Sequence, residues 1–537
     1  MSIGKKALAV LFVAFVLVCG VFAQSISEAT HGEYEGKVVI LHSNDVHGAL
    51  EGYANMAGLR DRFRDEGAEV ILVDDGDFSQ GSAYVNVYKG KSAVDMMNRV
   101  GYDIVGLGNH DFDFGYQNLV DNLKDARFKV ICSNVFGPDG APIYDASYVY
   151  TTRGGLRIAF FSMDTPETMT KSNPAKLGDV KFATGDTFFD IARSMVDEYK
   201  HNQGCSLLIC LTHLGTDVAS MPYTSYNLYE KVAGIDFIID GHSHTIFSSY
   251  DGLPIQQTGT KFQEIGVIVI DEASGRIEAS YVLPVDLLPS DDDVAAYAQT
   301  IVDKVNAEFE IKFAESAVDL NGDRDPGNRT METNLGDLVC DSMMWVITSD
   351  TSGIKVPQEN LIVLNNGGGI RDWIRKGDVT KKGVNNVLPF GNTVYLVYVK
   401  GSVILDALEA STFCTPASVG AFPQVAGIKM TIDTTKKYDA KPETYPNSTY
   451  YGPASINRVT IDSVNGKAFD PDATYGVITN DFVAAGGDTY YAFGSAKDKF
   501  DTGLPLDEVL MDYITEVLGG VIGDKYAQPA GRITVKQ

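Results

Sequence analysis

Positive charge is scarce in this 537-residue chain: 44 Lys and Arg face 71 Asp and Glu, a formal charge of −27. Long-range repulsion therefore argues against a nucleic-acid polymer or an anionic membrane as partner, and any anionic substrate has to be met by local cations. Long apolar runs are also missing once the first residues are passed. None approaches the roughly 20 residues of a membrane span, and the carboxyl end, GRITVKQ, carries no hydrophobic anchor tail. Cysteine is sparse, six in all, with no C-x-x-C or zinc-type spacing, so a dense disulfide framework is excluded. One or two disulfides are compatible with an exported chain, with no pairing assigned. Cys205 and Cys210, in CSLLIC, have an odd spacing that points them to opposite faces of a strand, and both read as core.

The one long apolar run is at the start. Lys5 and Lys6 precede the stretch from Ala7 to Cys19, and Val21-Phe22-Ala23 offers a small-residue cleavage site, the pattern of a secretory signal over residues 1–23. The alternatives are an uncleaved signal-anchor and lipidation at Cys19, the second disfavoured by the large Val18 before it. The expectation is an exported protein: periplasmic, extracellular or at the cell surface.

What is present is an ordinary globular composition, 44% hydrophobic and 10% aromatic, in a chain long enough for two domains. Short apolar runs bounded by turn residues recur at 37 to 48, 69 to 77, 102 to 111, 128 to 134, 157 to 164, 206 to 215 and 235 to 244. Helix-compatible segments such as SAVDMMNRV lie between several of them. The alternation predicts an α/β fold with mixed or mostly parallel sheets, whose strand-end loops build the site.

Five of those runs end in a residue able to hold a metal: Asp45 and His47 in NDVHG, Asp77 in DDGD, Asn109 in GNHD, His213 in THLG, and His242 with His244 in GHSH. Any one block alone is more simply a solvated loop. Yet of only eight histidines, five fall at strand ends: His47, His110, His213, His242 and His244. His31, His42 and His201 are left as structural or surface residues. Mixed imidazole and carboxylate ligands suit borderline divalent cations, where an all-oxygen set points to calcium or magnesium. Asp77, next to Gly76, is the natural shared carboxylate.

In the blocks DVHG, GD, GNHDFD, THLG and GHSH, taken in order, the chain resembles the binuclear metallophosphoesterases. The resemblance implies two divalent metal ions (Zn, Mn, Co or Mg), one held by Asp45, His47, Asp77 and His244, the other by Asp77, Asn109, His213 and His242. Such a pair activates a water and neutralises phosphate charge. His110 is then the group that stabilises or protonates the departing oxygen, with Asp113 orienting it. Asp111 gets no role and is expected to face solvent.

After Val285 the sequence changes character. Val294, Ala298, Ile301, Val305 and Phe309 form a stripe at helical spacing, with Ser290 and Asp293 as a capping box, which predicts a helix joining two domains. Beyond it, RTMETNLGDL (329–338), NNGGGIRDWIRKGD (365–378), VLPFGNTV (387–394) and TNDFVAAGGDTYYAF (479–493) each have a bland reading as turns, core or surface charge. Together they resemble the carboxyl-terminal domain of the secreted 5'-nucleotidase, UDP-sugar hydrolase and 2',3'-cyclic phosphodiesterase family. That implies a calcineurin-like sandwich of α/β/β/α layers over 36–285, a linker helix over 286–314 and a C-terminal α/β nucleotide-binding domain over 315–537. Phe390 and Phe482 would stack a base, Asn392 and Asp488 would bond its edge or the ribose, and Arg329 and Arg371, with Asn366, would take the ribose and phosphate side. An upstream arginine of some members has no counterpart at the same spacing, since Arg324 is one residue off.

The resulting expectation is an exported hydrolase that releases phosphate from 5'-nucleotides. Hydrolysis of 2',3'-cyclic nucleotides with 3'-nucleotidase action, or of UDP-sugars, is the enzymatic alternative. The paired Phe residues favour the 5' reading, because cyclic-phosphodiesterase relatives tend to present tyrosines there. A non-catalytic nucleotide-binding surface protein is the alternative of a different class, opposed by the complete ligand set.

Overall fold

The computed structural model describes residues 33–537, so the signal segment, Cys19 and His31 lie outside the described residues. Two six-stranded mixed sheets face each other in the N-terminal half. The first runs in the order Arg276–Pro284, Glu264–Asp271, Lys37–Ser43, Glu69–Asp74, Ile104–Val105, Lys129–Val130, parallel from Lys37–Ser43 onward. The second runs Ile246–Phe247, Ile255–Thr258, Phe237–Asp240, Leu207–His213, Arg157–Asp164, Ser147–Thr151, with its four central strands parallel.

Alternation along the strands explains the layers. Val38, Ile40, Ile71 and Val73 of the first sheet meet Ile158, Phe160, Ile209, Leu211 and Ile239 of the second in one dry interior. Their neighbours Val39, Leu41, Val70 and Leu72 point outward onto the helices Gly52–Asp65 and Lys91–Val100. Ala159, Phe161 and Leu208 pack on the helix Gly185–Val196 across the other face. The result is the expected α/β/β/α order, since strands covered on both faces need apolar side chains at every position.

Several expectations are corrected locally. The apolar runs at 102 to 111 and 128 to 134 pair over only Ile104–Val105 and Lys129–Val130; the rest is loop that carries functional groups. Cys205 precedes its strand, so the alternation rule does not reach it, and it shares one core cluster with Cys210. All five described cysteines are free thiols. His42 is buried and bonds Gln256 at 2.6 Å, whereas His201 is exposed.

The linker helix spans Asp292–Phe309, and its cap is Asp291, whose Oδ1 accepts from the Val294 N–H at 2.8 Å, not the Ser290 and Asp293 pair. Val294, Ala298 and Val302 enter the N-terminal core, so this helix is fastened to the first domain along most of its length. The second domain is built on a five-stranded sheet in the order Pro423–Ala426, Leu361–Asn366, Thr474–Asn480, Thr393–Lys400, Lys499–Pro505. The helix Asn334–Ser349 packs on one face, and Gly401–Ser411 on the other. Among the described residues, no helix is long and apolar enough to cross a membrane.

Candidate active site

The loops that follow Lys37–Ser43 and Glu69–Asp74 are stitched together by backbone bonds: Asp45 N–H to Gly76 O and His47 N–H to Asp77 O, both 3.0 Å. Gly76 has φ +92°, and a Cβ there would sit 2.2 Å from the Gly108 nitrogen, so only glycine lets this loop touch the one that follows Ile104–Val105. Asp45, His47, Asp77, His242 and His244 all adopt left-handed backbone angles, φ between 45° and 73°. Each such residue costs on the order of 1–3 kcal/mol and persists only where its surroundings over-determine it, which is common at functional sites.

The side chains converge. Asp45 Oδ1 lies 3.2 Å from His244 Nε2, 3.7 Å from His213 Nε2 and 3.8 Å from His47 Nε2. Asp77 Oδ2 lies 3.1 Å from His213 Nε2 and 3.6 Å from His47 Nε2. His242 Nδ1 meets Asn109 Oδ1 at 2.8 Å. Asp45 Oδ1, Asp77 Oδ2, His213 Nε2 and Asn109 Nδ2 are buried without a hydrogen-bond partner. Unpartnered carboxylate oxygens and imidazole nitrogens pointing at one another in a dry interior are costly unless a cation lies among them. The geometry gives two donor sets, Asp45 with His47 and His244, and Asp45 with Asp77 and His213. This donor chemistry fits borderline divalent cations. Burial holds the His47 pKa well below its usual value and that of His244 at about 4, keeping both rings neutral, as metal ligands must be. Burial opposes charge on His213 as well, but Asp77 and Asp45 outweigh it and raise its pKa well above the ordinary value.

The turn Asn109–Phe112 presents His110, whose Nδ1 is 2.6 Å from Asp113 Oδ2 and whose backbone N–H donates to Asp77 Oδ1 at 2.7 Å. Asp111 does not face solvent. It is 1% exposed and accepts from the N–H groups of Asp77, Phe78, Ser79 and Gly108 and from Ser79 Oγ, at 2.7–3.2 Å. Its carboxylate therefore ties the Asp77 loop to the His110 turn; burial, with Asp77 nearby, pushes its pKa up to about 6.

From this floor a cleft runs into the second domain, lined on one side by Asp77, Asn109, His110, Asp113, His242 and His244. The other side carries Arg329, Asn366, Arg371, Phe390, Asn392, Phe482 and Asp488, every residue expected there. The Asn366 amide donates to Asp488 Oδ2 at 3.2 Å, bracing a residue with φ +49°. Phe390 lies 5.5 Å from the His110 ring at 29°, with the Arg371 guanidinium 5.6 Å from its centroid.

Sequence reasoning missed a second group of residues. Arg324 does reach the cleft despite its shifted spacing, ion-paired to Asp217 and bonded to the Ser243 carbonyl at 3.2 Å. Glu167, Lys171 and Asn173 come from the segment after strand Arg157–Asp164 and touch the second domain. Lys171 Nζ is 3.4 Å from Asp488 Oδ1, and Asn173 donates to Asp481 Oδ2 at 2.9 Å. Their position after a buried strand is the one available signal, and DTPETMTKSNP has no ligand pattern to strengthen it.

Residues 38–245 match the calcineurin-like phosphoesterase family, and residues 312–495 match the 5'-nucleotidase C-terminal domain. The chain belongs to the 5'-nucleotidase family of metallophosphoesterases. Among family members, it is 30% identical over 91% of its length to the trifunctional nucleotide phosphoesterase protein YfkN of Bacillus subtilis, of which it spans only 34%. It is 27% identical to the 5'-nucleotidase of Bos taurus, over 90% of this chain and 88% of that one. The crystal structure of the 5'-nucleotidase precursor from Thermus thermophilus superposes with a TM-score of 0.77 at 29% identity, covering 93% of this chain and 99% of that one.

Proposed function

We propose that this chain is an exported hydrolase that uses two divalent cations to release phosphate from 5'-nucleotides, leaving the nucleoside. The observation that carries the reading is one cleft that joins the Asp and His cluster to Phe390 and Phe482 through Arg329 and Arg371. The two donor sets have Asp45 in common, but Asp77 Oδ2 also lies within 3.6 Å of both His47 and His213, and the family resemblance favours Asp77 as the shared carboxylate. One cation then takes Asp45, His47, Asp77 and His244, the other Asp77, Asn109, His213 and His242. Bound divalent cations supply water activation and charge neutralisation on the phosphate.

The chain's own groups do the rest. Arg329 and Arg371 crowd each other and Arg324, so burial and like charge lower their pKa values and leave a positive field for an anion. Arg324 is already matched by Asp217, so a single phosphate group is met mainly by the other two. With Nδ1 held by Asp113, the second ring nitrogen of His110 is the one available to protonate the departing ribose oxygen. Phe390 and Phe482 offer aromatic faces to a base, with Asn392 and Asp488 beside them. Export rests on Lys5, Lys6 and the apolar run that follows.

Asp77→Ala tests this reading. The variant should lose bound metal by mass spectrometry and release no phosphate from AMP. Wild-type metal content with wild-type turnover would refute it.

A further inference from the structure

Glu167 is fully buried yet belongs to neither donor set. Its Oε2 accepts from Ser220 Oγ at 2.6 Å and lies 3.1 Å from His242 Nε2. Its Oε1 accepts from the hydroxyl of Tyr450, in the second domain, at 2.6 Å. One carboxylate thus stands between a histidine of the candidate metal cluster and a residue 283 positions away. A carboxylate on Nε2 keeps the imidazole proton there, so the Nδ1 lone pair and Asn109 Oδ1 face each other 2.8 Å apart as two ligands of one cation would, and both tautomer and ring orientation are fixed, as outer carboxylates fix them at metal sites. Tyr450 itself is 4% exposed, with Lys171 Nζ 5.8 Å from its ring centroid. The same short segment carries two other bonds between the domains, Asp488 N–H to Thr170 O at 2.6 Å and Asn173 to Asp481.

We propose that Glu167 is a positioning residue for His242 and that the Tyr450 hydroxyl, which reaches Glu167 only when the second domain is docked, couples docking to the metal centre. Docking supplies the third donor to a buried carboxylate. Without it, one oxygen loses its partner and the grip on His242 loosens. A chain with its domains apart therefore holds the ion served by His242 less tightly than a chain closed on nucleotide. The proposal rests on the reading of His242 as a metal ligand.

Cobalt(II) titration of the chelator-stripped full chain tests it, read by visible absorption and by metal mass spectrometry. Glu167→Ala should weaken one of two binding steps about 10- to 100-fold, the usual cost of removing such a partner. Glu167→Gln, which keeps an acceptor but not the charge, should fall between. Tyr450→Phe, which removes one hydroxyl and should fold normally, should abolish the tightening of cobalt binding that adenosine, which has no phosphate to touch the metals, induces in the wild type. It should add nothing in the Glu167→Ala background. His242→Ala is the control for the underlying reading and should lose one cobalt. If His242→Ala keeps both ions, the ligand assignment fails and the proposal with it. If His242→Ala loses one while Glu167→Ala and Tyr450→Phe both behave as wild type, the metal centre stands and the coupling is wrong.

Discussion

The two aromatic residues of the cleft should not respond alike to truncation, because the structure gives them different neighbours. Phe482, 9% exposed, backs onto Gly487, where a Cβ would approach its ring to 2.4 Å. Phe390 rests against His110 and Arg371. Losing one stacking face costs about 1–3 kcal/mol, and at 1.4 kcal/mol per tenfold this is roughly a 5- to 140-fold loss in kcat/KM for AMP. For Phe482→Leu, which limits the cavity that Ala would leave, that loss should be confined to substrates with a base. Ribose 5-phosphate should be hydrolysed within about twofold of wild type. Phe390→Ala also removes a cation–π contact of about 0.5–1 kcal/mol from Arg371 and the support of His110, so both substrates should slow. The assay is initial-rate phosphate release over a substrate series, with melting curves to establish that each variant is folded. If Phe482→Leu turns over AMP with wild-type kcat/KM, that ring is core packing and the base lies elsewhere.

His110→Ala should lower turnover by about 10²–10⁴-fold, the range for losing a general acid, while metal content by mass spectrometry stays normal. A lost metal would mean that it is a ligand. Asp111→Ala strands four backbone N–H groups and a hydroxyl at about 1–3 kcal/mol for each unsatisfied donor. The first domain should then melt at least about 10 °C lower and bind cobalt more weakly, whereas an unchanged melting curve contradicts the tethering role. Asn173→Cys paired with Asp481→Cys joins the two domains where their side chains already touch. Oxidised, this pair should suppress AMP turnover and reduction should restore it, because substrate entry and release need the domains to part. A fully crosslinked chain that works at the free rate excludes that motion, whose natural pivot is the end of the linker helix near Glu310, beyond its anchored turns.

The sandwich is legible because its strands are apolar at consecutive positions, the mark of sheets covered on both faces, and because residues able to hold a metal recur where five of the seven runs stop. The candidate ligands can be read for the same reason: Asp45, His47, Asp77, His213 and His242 stand at strand ends fixed by topology. Asp111 escapes a sequence reading because a carboxylate bonded mainly to backbone N–H groups, with the Ser79 hydroxyl its one side-chain partner, leaves almost no pattern in the sequence to look for. Arg324 fails a spacing argument, yet it opens the loop Arg324–Asn328, whose backbone is irregular, and its guanidinium lines the cleft. Glu167 and Lys171 act across the domain interface, and no local pattern reports which distant loop a segment will meet.

The central claim is that one nucleotide bridges the metal cluster of the first domain and the aromatic pair of the second. The measurement that bears on it most directly is kcat/KM for AMP, 3'-AMP, 2',3'-cyclic AMP, ATP and UDP-glucose, each with Mn, Zn, Co or Mg and again after chelation. The account predicts that AMP leads this series, that chelation abolishes every activity, and that added metal restores it. A chain that prefers 2',3'-cyclic AMP over AMP, or that hydrolyses AMP equally well after chelation, contradicts it.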